Sequence, residues 1–292
     1  MTMNKVSVVT ILLFAFSFVG CDRKEKPEGP DPKGTTLTPQ QQKREDSLKG
    51  KPFTVEELGL EMAWIAPGKF HMGSHKSEAG HQLGEENLHE VIISRGFWMG
   101  IHEVTQQQFD DLMRENPSFL KGENLPVNNV NWWKATEFCK TLTEQESRAD
   151  RIPKNWRFRL PTESQWEYAC RAGTKTAFSS GDEVEELTKV GWYNANSAGG
   201  VKPVGLKKPN AWGLYDMHGN VGEWCFDWFD KTYPPDRSVD PVTVTQDASK
   251  FKVFRGGTYA DLPERCRSAH RHKTTPATTN PWIGFRIVLA PF

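Results

Sequence analysis

The chain has 292 residues, of which 37% are apolar and 25% charged, enough for one globular core of ordinary size and a short leader. Its 37 basic and 37 acidic residues cancel, so no net field draws it toward DNA or RNA, and no nucleic-acid partner is expected. The 11 tryptophans, 24 glycines and 19 prolines point to short strands, many turns and ring-filled gaps instead of regular helical layers.

Residues 1–20 start polar, with Lys5, and continue as an apolar run from Val6 to Gly20, too short for a comfortable membrane span. This is the pattern of a secretory signal peptide. The run closes on Phe18-Val19-Gly20-Cys21, which resembles the lipobox of bacterial lipoproteins, with Cys21 as the acylated first residue. An ordinary signal peptide followed by a cysteine is the alternative. On the lipobox reading, several acyl chains on Cys21 hold the protein at a membrane, facing outward in the bacterial envelope, periplasmic or at the cell surface. Residues 22–58 are charged, contain Pro and Gln, and are nearly free of aromatics. They cannot bury enough surface to offset ordering. Lipidated Cys21 and a disordered tether therefore make up 21–58, and the folded domain is expected over 59–292.

Within that domain, 62–74 alternates apolar residues with Pro-Gly and Gly-Ser turn signals in the manner of a hairpin, and a second strand pair is expected between His89 and Val104. Thr105 and Gln108 form a capping box ahead of Phe109, Leu112 and Met113, predicting a first helix that runs to about Glu115. A second helix is expected from Asn131 to about Glu146, with Ala135, Phe138, Cys139 and Leu142 on one face. Thr162 and Gln165 form another capping box, opening a third helix whose inner face carries Trp166, Ala169 and Cys170 and which ends at Gly173. From Ala177 onward no helical period is sustained, so short strands separated by turns are expected.

Six stretches in fixed order carry a resemblance: MAWIAPGKFHMGS (62–74), GFWMGIHEVTQQQF (96–109), RLPTESQWEYACRAGT (159–174), NAWGLYDMHGNVGEW (210–224), FRGGTY (254–259) and IGFRIV (283–288). Together they resemble the formylglycine-generating-enzyme, or sulfatase-modifying-factor, family. The resemblance implies an α+β fold of the C-type-lectin-like sulfatase-modifying-factor type, loop-rich, with short strands and about three helices. It also implies an activity: oxidation of a peptidyl cysteine to formylglycine with oxygen and a copper ion held by two cysteines after the Arg-Gly-Gly motif.

Here the stretch after Arg255-Gly256-Gly257 is short and holds no cysteine before Cys266. Asp261 and Glu264 are hard donors that cannot replace thiolates for Cu(I), so no catalytic residues are assigned and copper is not expected. By the resemblance, Cys266 pairs with Cys170 in a disulfide; two reduced buried cysteines are the alternative. The resemblance also places a structural calcium ion on the loop 216–223, held by the Asp216 and Glu223 side chains and the Gly219 and Val221 carbonyls, where the family often carries Trp at the position of Gly222. A hydrogen-bonded turn without metal is the alternative. His218, Arg255, His270 and Trp282 are expected near the family's peptide groove. His270 and His272 form either a metal pair or part of an ordinary surface strand, and the tryptophans are expected to fill the core more than to present a sugar-binding face.

These features suggest a membrane-anchored binding or assembly module that holds a protein, peptide or glycan without catalysis. The alternative is an oxidoreductase converting a peptidyl cysteine to formylglycine through another residue set, for which Cys225 is the one cysteine without a structural role.

Overall fold

The computed structural model describes residues 39, 43, 46, 48–233, 238–245 and 249–291; the expected signal peptide, Cys21 and most of the tether lie outside them. Among the described residues the fold combines four short sheets with four α-helices. A five-stranded sheet has the order β1 (Phe53–Val55), β2 (Leu60–Ile65), β5 (Phe97–Gly100), β13 (Val288–Pro291), β6 (Trp156–Arg159). A four-stranded sheet has the order β11 (His272–Thr274), β10 (Lys252–Arg255), β9 (Gly222–Trp228), β12 (Ile283–Gly284), with β12 parallel to β9. Two ribbons complete the set, β3 (Gly68–Met72) with β4 (His89–Ile93) and β7 (Gly191–Trp192) with β8 (His218–Gly219). This is the loop-rich α+β architecture read from the sequence.

Three helices lie close to their expected bounds because their signals are local. Helix α1 (Gln106–Met113) opens on the Thr105 capping box, with both reciprocal hydrogen bonds formed. In α2 (Trp132–Arg148) the Asn131 side chain accepts the Lys134 N–H at 2.9 Å, and Ala135, Phe138, Cys139 and Leu142 are buried. The Thr162 box opens α3 (Glu163–Arg171), every residue of which is buried. A fourth helix, α4 (Val184–Val190), corrects the expectation of an all-strand second half. Over seven residues only Leu187 and Val190 face inward, too few positions to display a period.

Strand locations also hold, but pairing differs. The stretch 62–74 is not a hairpin: β2 pairs with β5 and β3 with β4, both antiparallel. The chain leaves one sheet after Ile65, runs out and back through the β3–β4 ribbon, and re-enters beside β2. A further correction concerns the tether, since β1 begins at Phe53 and Val55 is 1% exposed in the core.

Among the described residues two large apolar cores and a smaller third cluster fill the fold. One large core lies between the five-stranded sheet and α2, against which α1 packs; the other surrounds α3, which sits among β3, β4, β9 and β10. Trp98, Trp132, Trp156, Trp166 and Trp224 are fully buried, and Trp98 packs against Trp64 and Trp156 at centroid distances of 4.6 and 4.9 Å. Such pairs each contribute about 0.5–1.5 kcal/mol beyond area burial. Among the described residues no helix is long and apolar enough to cross a membrane.

Candidate functional site

The site is built outward from the Arg-Gly-Gly turn. Alternation along β10 sends Arg255 to one face and Phe254 to the other. Arg255 is fully buried against α3: it donates to the carboxylates of Glu163 and Glu167 and to the Ala269 and Ser268 carbonyls at 3.1 and 2.8 Å. Arg271 binds the same Glu163 carboxylate with two hydrogen bonds of 2.6 and 2.7 Å. Burial opposes charge on Glu163, yet Arg271 and Arg255 beside it hold its carboxyl below the usual range. The turn that follows needs glycine: Gly257 has φ +73°, and a Cβ there would meet the Arg265 carbonyl oxygen at 2.7 Å and Cys266 Sγ at 2.8 Å.

Beyond this turn lies a groove of about 450 Å³, walled by residues of the 258–265 loop, β10, β11 and the 280–283 segment. Phe254 and His272 stack in it, 4.7 Å between centroids and 17° between planes. Thr258 Oγ1 donates to Asp261 at 2.8 Å, while Arg265 lies 3.5 Å from the other Asp261 oxygen and keeps its side chain 61% exposed. Trp282, 44% exposed, forms part of the rim.

Of the four residues expected at the groove, only Trp282 lines it. His218 is buried; the Ser179 N–H donates to its Nε2 at 3.0 Å, so Nδ1 carries the proton and donates to the Cys266 carbonyl at 2.8 Å. Burial pulls its imidazole down to about 4. Arg255 is consumed by the carboxylate network. His270 lies beneath His272, 4.4 Å between ring centroids, with Nδ1 buried and 3.7 Å from Glu86. Among the described residues no group of three or more His, Cys, Asp or Glu side chains is arranged to hold a metal ion, so the two histidines do not form the core of one. Phe254, Arg265 and Asn280 line the groove without any expectation from the sequence, and His272, expected as half of a metal pair or as part of a surface strand, lines it with them; the outward side of β10, opposite Arg255, is the available signal for Phe254.

The loop expected to hold calcium is tightly tied. Glu223 accepts two hydrogen bonds of 2.7 Å from Arg286 and a third of 2.7 Å from Trp166 Nε1. Asp216 accepts the Gly205 N–H at 2.7 Å through Oδ2, but its Oδ1 is buried and without a partner. Glu103 caps the loop, accepting from Val221 N–H at 3.0 Å and the Asn220 amide at 2.8 Å. Three buried carboxylates thus face the Arg286 guanidinium, with the Lys207 ammonium also near Asp216. Burial pushes the Asp216 carboxyl up to about 6 against the Gly205 N–H and Arg286, with Glu223 adding to the rise. The unpartnered Asp216 oxygen is the one feature that fits a hard cation, since Glu103, Asp216 and Glu223 do not converge into a group of three metal-holding side chains. Such an ion would be held through Asp216 and the loop carbonyls, with Glu223 contributing only the oxygen capacity that Arg286 and Trp166 leave free.

The model of the sulfatase-modifying factor enzyme 1-like domain matches residues 49–291. The chain belongs to this family. It is 29% identical over 235 residues to the Chaperone protein LppX of Paenibacillus barcinonensis, covering 66% of this chain and 79% of that one. With the formylglycine-generating enzyme of Streptomyces coelicolor it shares 34% identity over 182 residues, 56% of this chain and 52% of the enzyme. It spans 38% of the serine/threonine-protein kinase pkn1 of Chlamydia caviae, at 28% identity over 79% of this chain. Among solved structures, Treponema denticola variable protein 1 superposes with a TM-score of 0.70 at 30% identity, over 82% of this chain and 99% of that one. PvdO from Pseudomonas aeruginosa gives 0.73 at 25% identity, over 82% and 98%.

In this sulfatase-modifying-factor domain, Cys139, Cys170, Cys225 and Cys266 are all buried and free. The Cys170–Cys266 pairing implied by the resemblance is absent from the structure. Cys170 lies in the core around α3, with Sγ 3.7 Å from His218 Nε2 and 3.6 Å from Ser268 Oγ, whereas Cys266 belongs to a separate cluster with Phe178 and Leu187. The His218 ring bridges the two, touching one sulfur and the other's carbonyl. Burial pushes the Cys170 thiol up to about 12 and raises those of Cys139, Cys225 and Cys266 as well. The donor set at the groove, without a thiolate, does not fit Cu(I).

Proposed function

We propose that the protein is a membrane-anchored, extracytoplasmic lipoprotein whose sulfatase-modifying-factor domain serves as a non-catalytic binding or assembly module in the bacterial envelope. The observation that carries this reading is the segment behind the Arg255-Gly256-Gly257 turn. It delivers Asp261, Arg265, His272 and Trp282 to an open groove, while its single sulfur, on Cys266, is turned into the core. A thiol becomes a nucleophile or a soft-metal ligand only as the thiolate, and a buried thiol with a raised pKa is inert at neutral pH. The groove has aromatic surface, hydroxyls and an exposed guanidinium, which are means of recognition more than of bond making. Anchoring through Cys21 and the tether read from the sequence support placement at a membrane, and likeness to LppX, named a chaperone, supports a holding role.

Thiol titration of the native full chain with an aromatic disulfide reagent tests the reading, using Cys21→Ser to remove the one cysteine outside the domain. No thiol of that variant should react until denaturant is added, when four should. A fast-reacting thiol in the folded variant would restore the oxidoreductase alternative, with Cys225 the first residue to examine.

A further inference from the structure

The groove owes its floor to a missing side chain. In the four-stranded sheet, His272 pairs with Phe254 across β11 and β10, and Ile283 pairs with Gly222 across β12 and β9. Gly222 is not among the residues with positive φ, so its backbone does not demand glycine. Space does: a Cβ on Gly222 would lie 2.7 Å from Phe254 Cδ2 and 3.0 Å from Cε2. Without it, the Phe254 ring lies down over β9, His272 stacks on it, and the volume between this pair and Trp282 stays open.

Around this aromatic floor stand the neutral polar side chains of Thr258, Thr274 and Asn280 and the charged ones of Asp261, Arg265 and Lys273. Asn280 accepts the Trp282 N–H at 2.8 Å through its amide oxygen, which leaves the amide nitrogen directed elsewhere. Thr258 and Thr274 add hydroxyls, the first donating to Asp261 at 2.8 Å and the second sharing a hydrogen bond of 2.9 Å with Thr278. Lys273 is paired with Glu85 at 2.8 Å, whereas Arg265 has only its long contact with Asp261. The groove is lined by residues of β10 and of both outer strands of the sheet, β11 and β12, so an aromatic face as well as a strand edge borders it, and a short acidic peptide is the competing occupant. Flat aromatic surface ringed by hydroxyl and amide groups suits a pyranose, whose C–H face is apolar and whose edge is all hydroxyl.

We propose that this groove binds a sugar bearing a carboxylate, with the pyranose against Phe254, His272 and Trp282 and the carboxylate on Arg265, and that Gly222 is the residue that makes room for it. The assignment rests on the groove being the binding surface of the module. An exposed guanidinium takes a carboxylate with two parallel hydrogen bonds and discriminates against the neutral sugar.

The test is calorimetric titration of the full chain with a disaccharide ending in glucuronic acid, its carboxyl-reduced counterpart and a short acidic peptide. The uronate should bind and the reduced sugar should bind about tenfold more weakly, equivalent to about 1.4 kcal/mol. Arg265→Gln should erase that preference, Trp282→Ala should weaken both sugars, and Gly222→Trp should abolish binding. The first two residues are exposed, so their variants keep the test informative if Gly222→Trp does not fold. Binding of the peptide but not the sugars, lost in Trp282→Ala, would overturn the sugar assignment and leave the groove as the binding surface. Sugar binding unchanged in both Arg265→Gln and Trp282→Ala would overturn this use of the groove. No binding of any probe would overturn the sugar assignment, and the module reading would then rest on the thiol titration.

Discussion

Arg286 grips Glu223 with two hydrogen bonds of 2.7 Å, both side chains being essentially excluded from water. The same guanidinium donates to the Gly100 and Tyr215 carbonyls at 3.0 and 2.8 Å. One pair therefore ties β5, the 216–223 loop and the last motif of the chain together. Removing one partner leaves the other charge buried alone, which costs about 3–5 kcal/mol. Arg286→Ala or Glu223→Gln should each lower the urea midpoint accordingly. The double variant Arg286→Ala/Glu223→Gln should cost less than the sum, because the interaction between the two is lost only once. Additive losses in the double variant would mean the two residues do not act as a pair.

Asp216 gives a pH and calcium signature. Its folded pKa, about 6, lies above the ordinary aspartate value of 3.8. A carboxyl raised by folding favours the folded state most below its unfolded pKa, and that contribution is lost as pH rises through the folded value. Without calcium, Asp216→Asn should therefore melt like the wild type near about pH 4 and above it at about pH 7.5. Millimolar calcium should raise the wild-type melting temperature and leave Asp216→Asn unmoved. Melting that ignores both calcium and chelator in the wild type would remove the proposed cation from this loop.

Lys252 titrates in the opposite sense. Its Nζ donates to the Phe226 carbonyl at 2.7 Å and sits 4.0 and 4.1 Å from the Trp132 and Trp228 ring centroids. Burial pulls its pKa down to about 7, with Asp227 opposing the fall. Between that value and the ordinary 10.5, the unfolded chain binds the extra proton, so stability rises with pH across this window. The stability difference between wild type and Lys252→Met should shift toward the wild type from about pH 7 to about pH 10. A difference flat in pH would show that Lys252 is no less basic in the folded state than in the unfolded chain.

What the sequence displayed and what it concealed follow from range. The capping boxes at Thr105 and Thr162 involve residues three apart and could be read directly. Pairing of β2 with β5 depends on contacts across more than thirty residues, and the alternation in 62–74 is equally compatible with a hairpin. Arg255 and His218 were expected at the groove because their motifs lie beside it. Their partners, Glu163, Glu167 and Ser179, come from distant segments, and these draw both side chains into the core. The groove itself depends on Gly222, whose importance shows only once the Phe254 ring is seen above it.

Exposure of the full chain to a cysteine-containing sulfatase-motif peptide with copper and oxygen, followed by mass spectrometry, tests the central claim most directly. With folding confirmed by circular dichroism, the cysteine should remain unconverted beyond a copper-only control. Formylglycine formed above that control would contradict a non-catalytic module and show that one of the buried thiols reaches substrate.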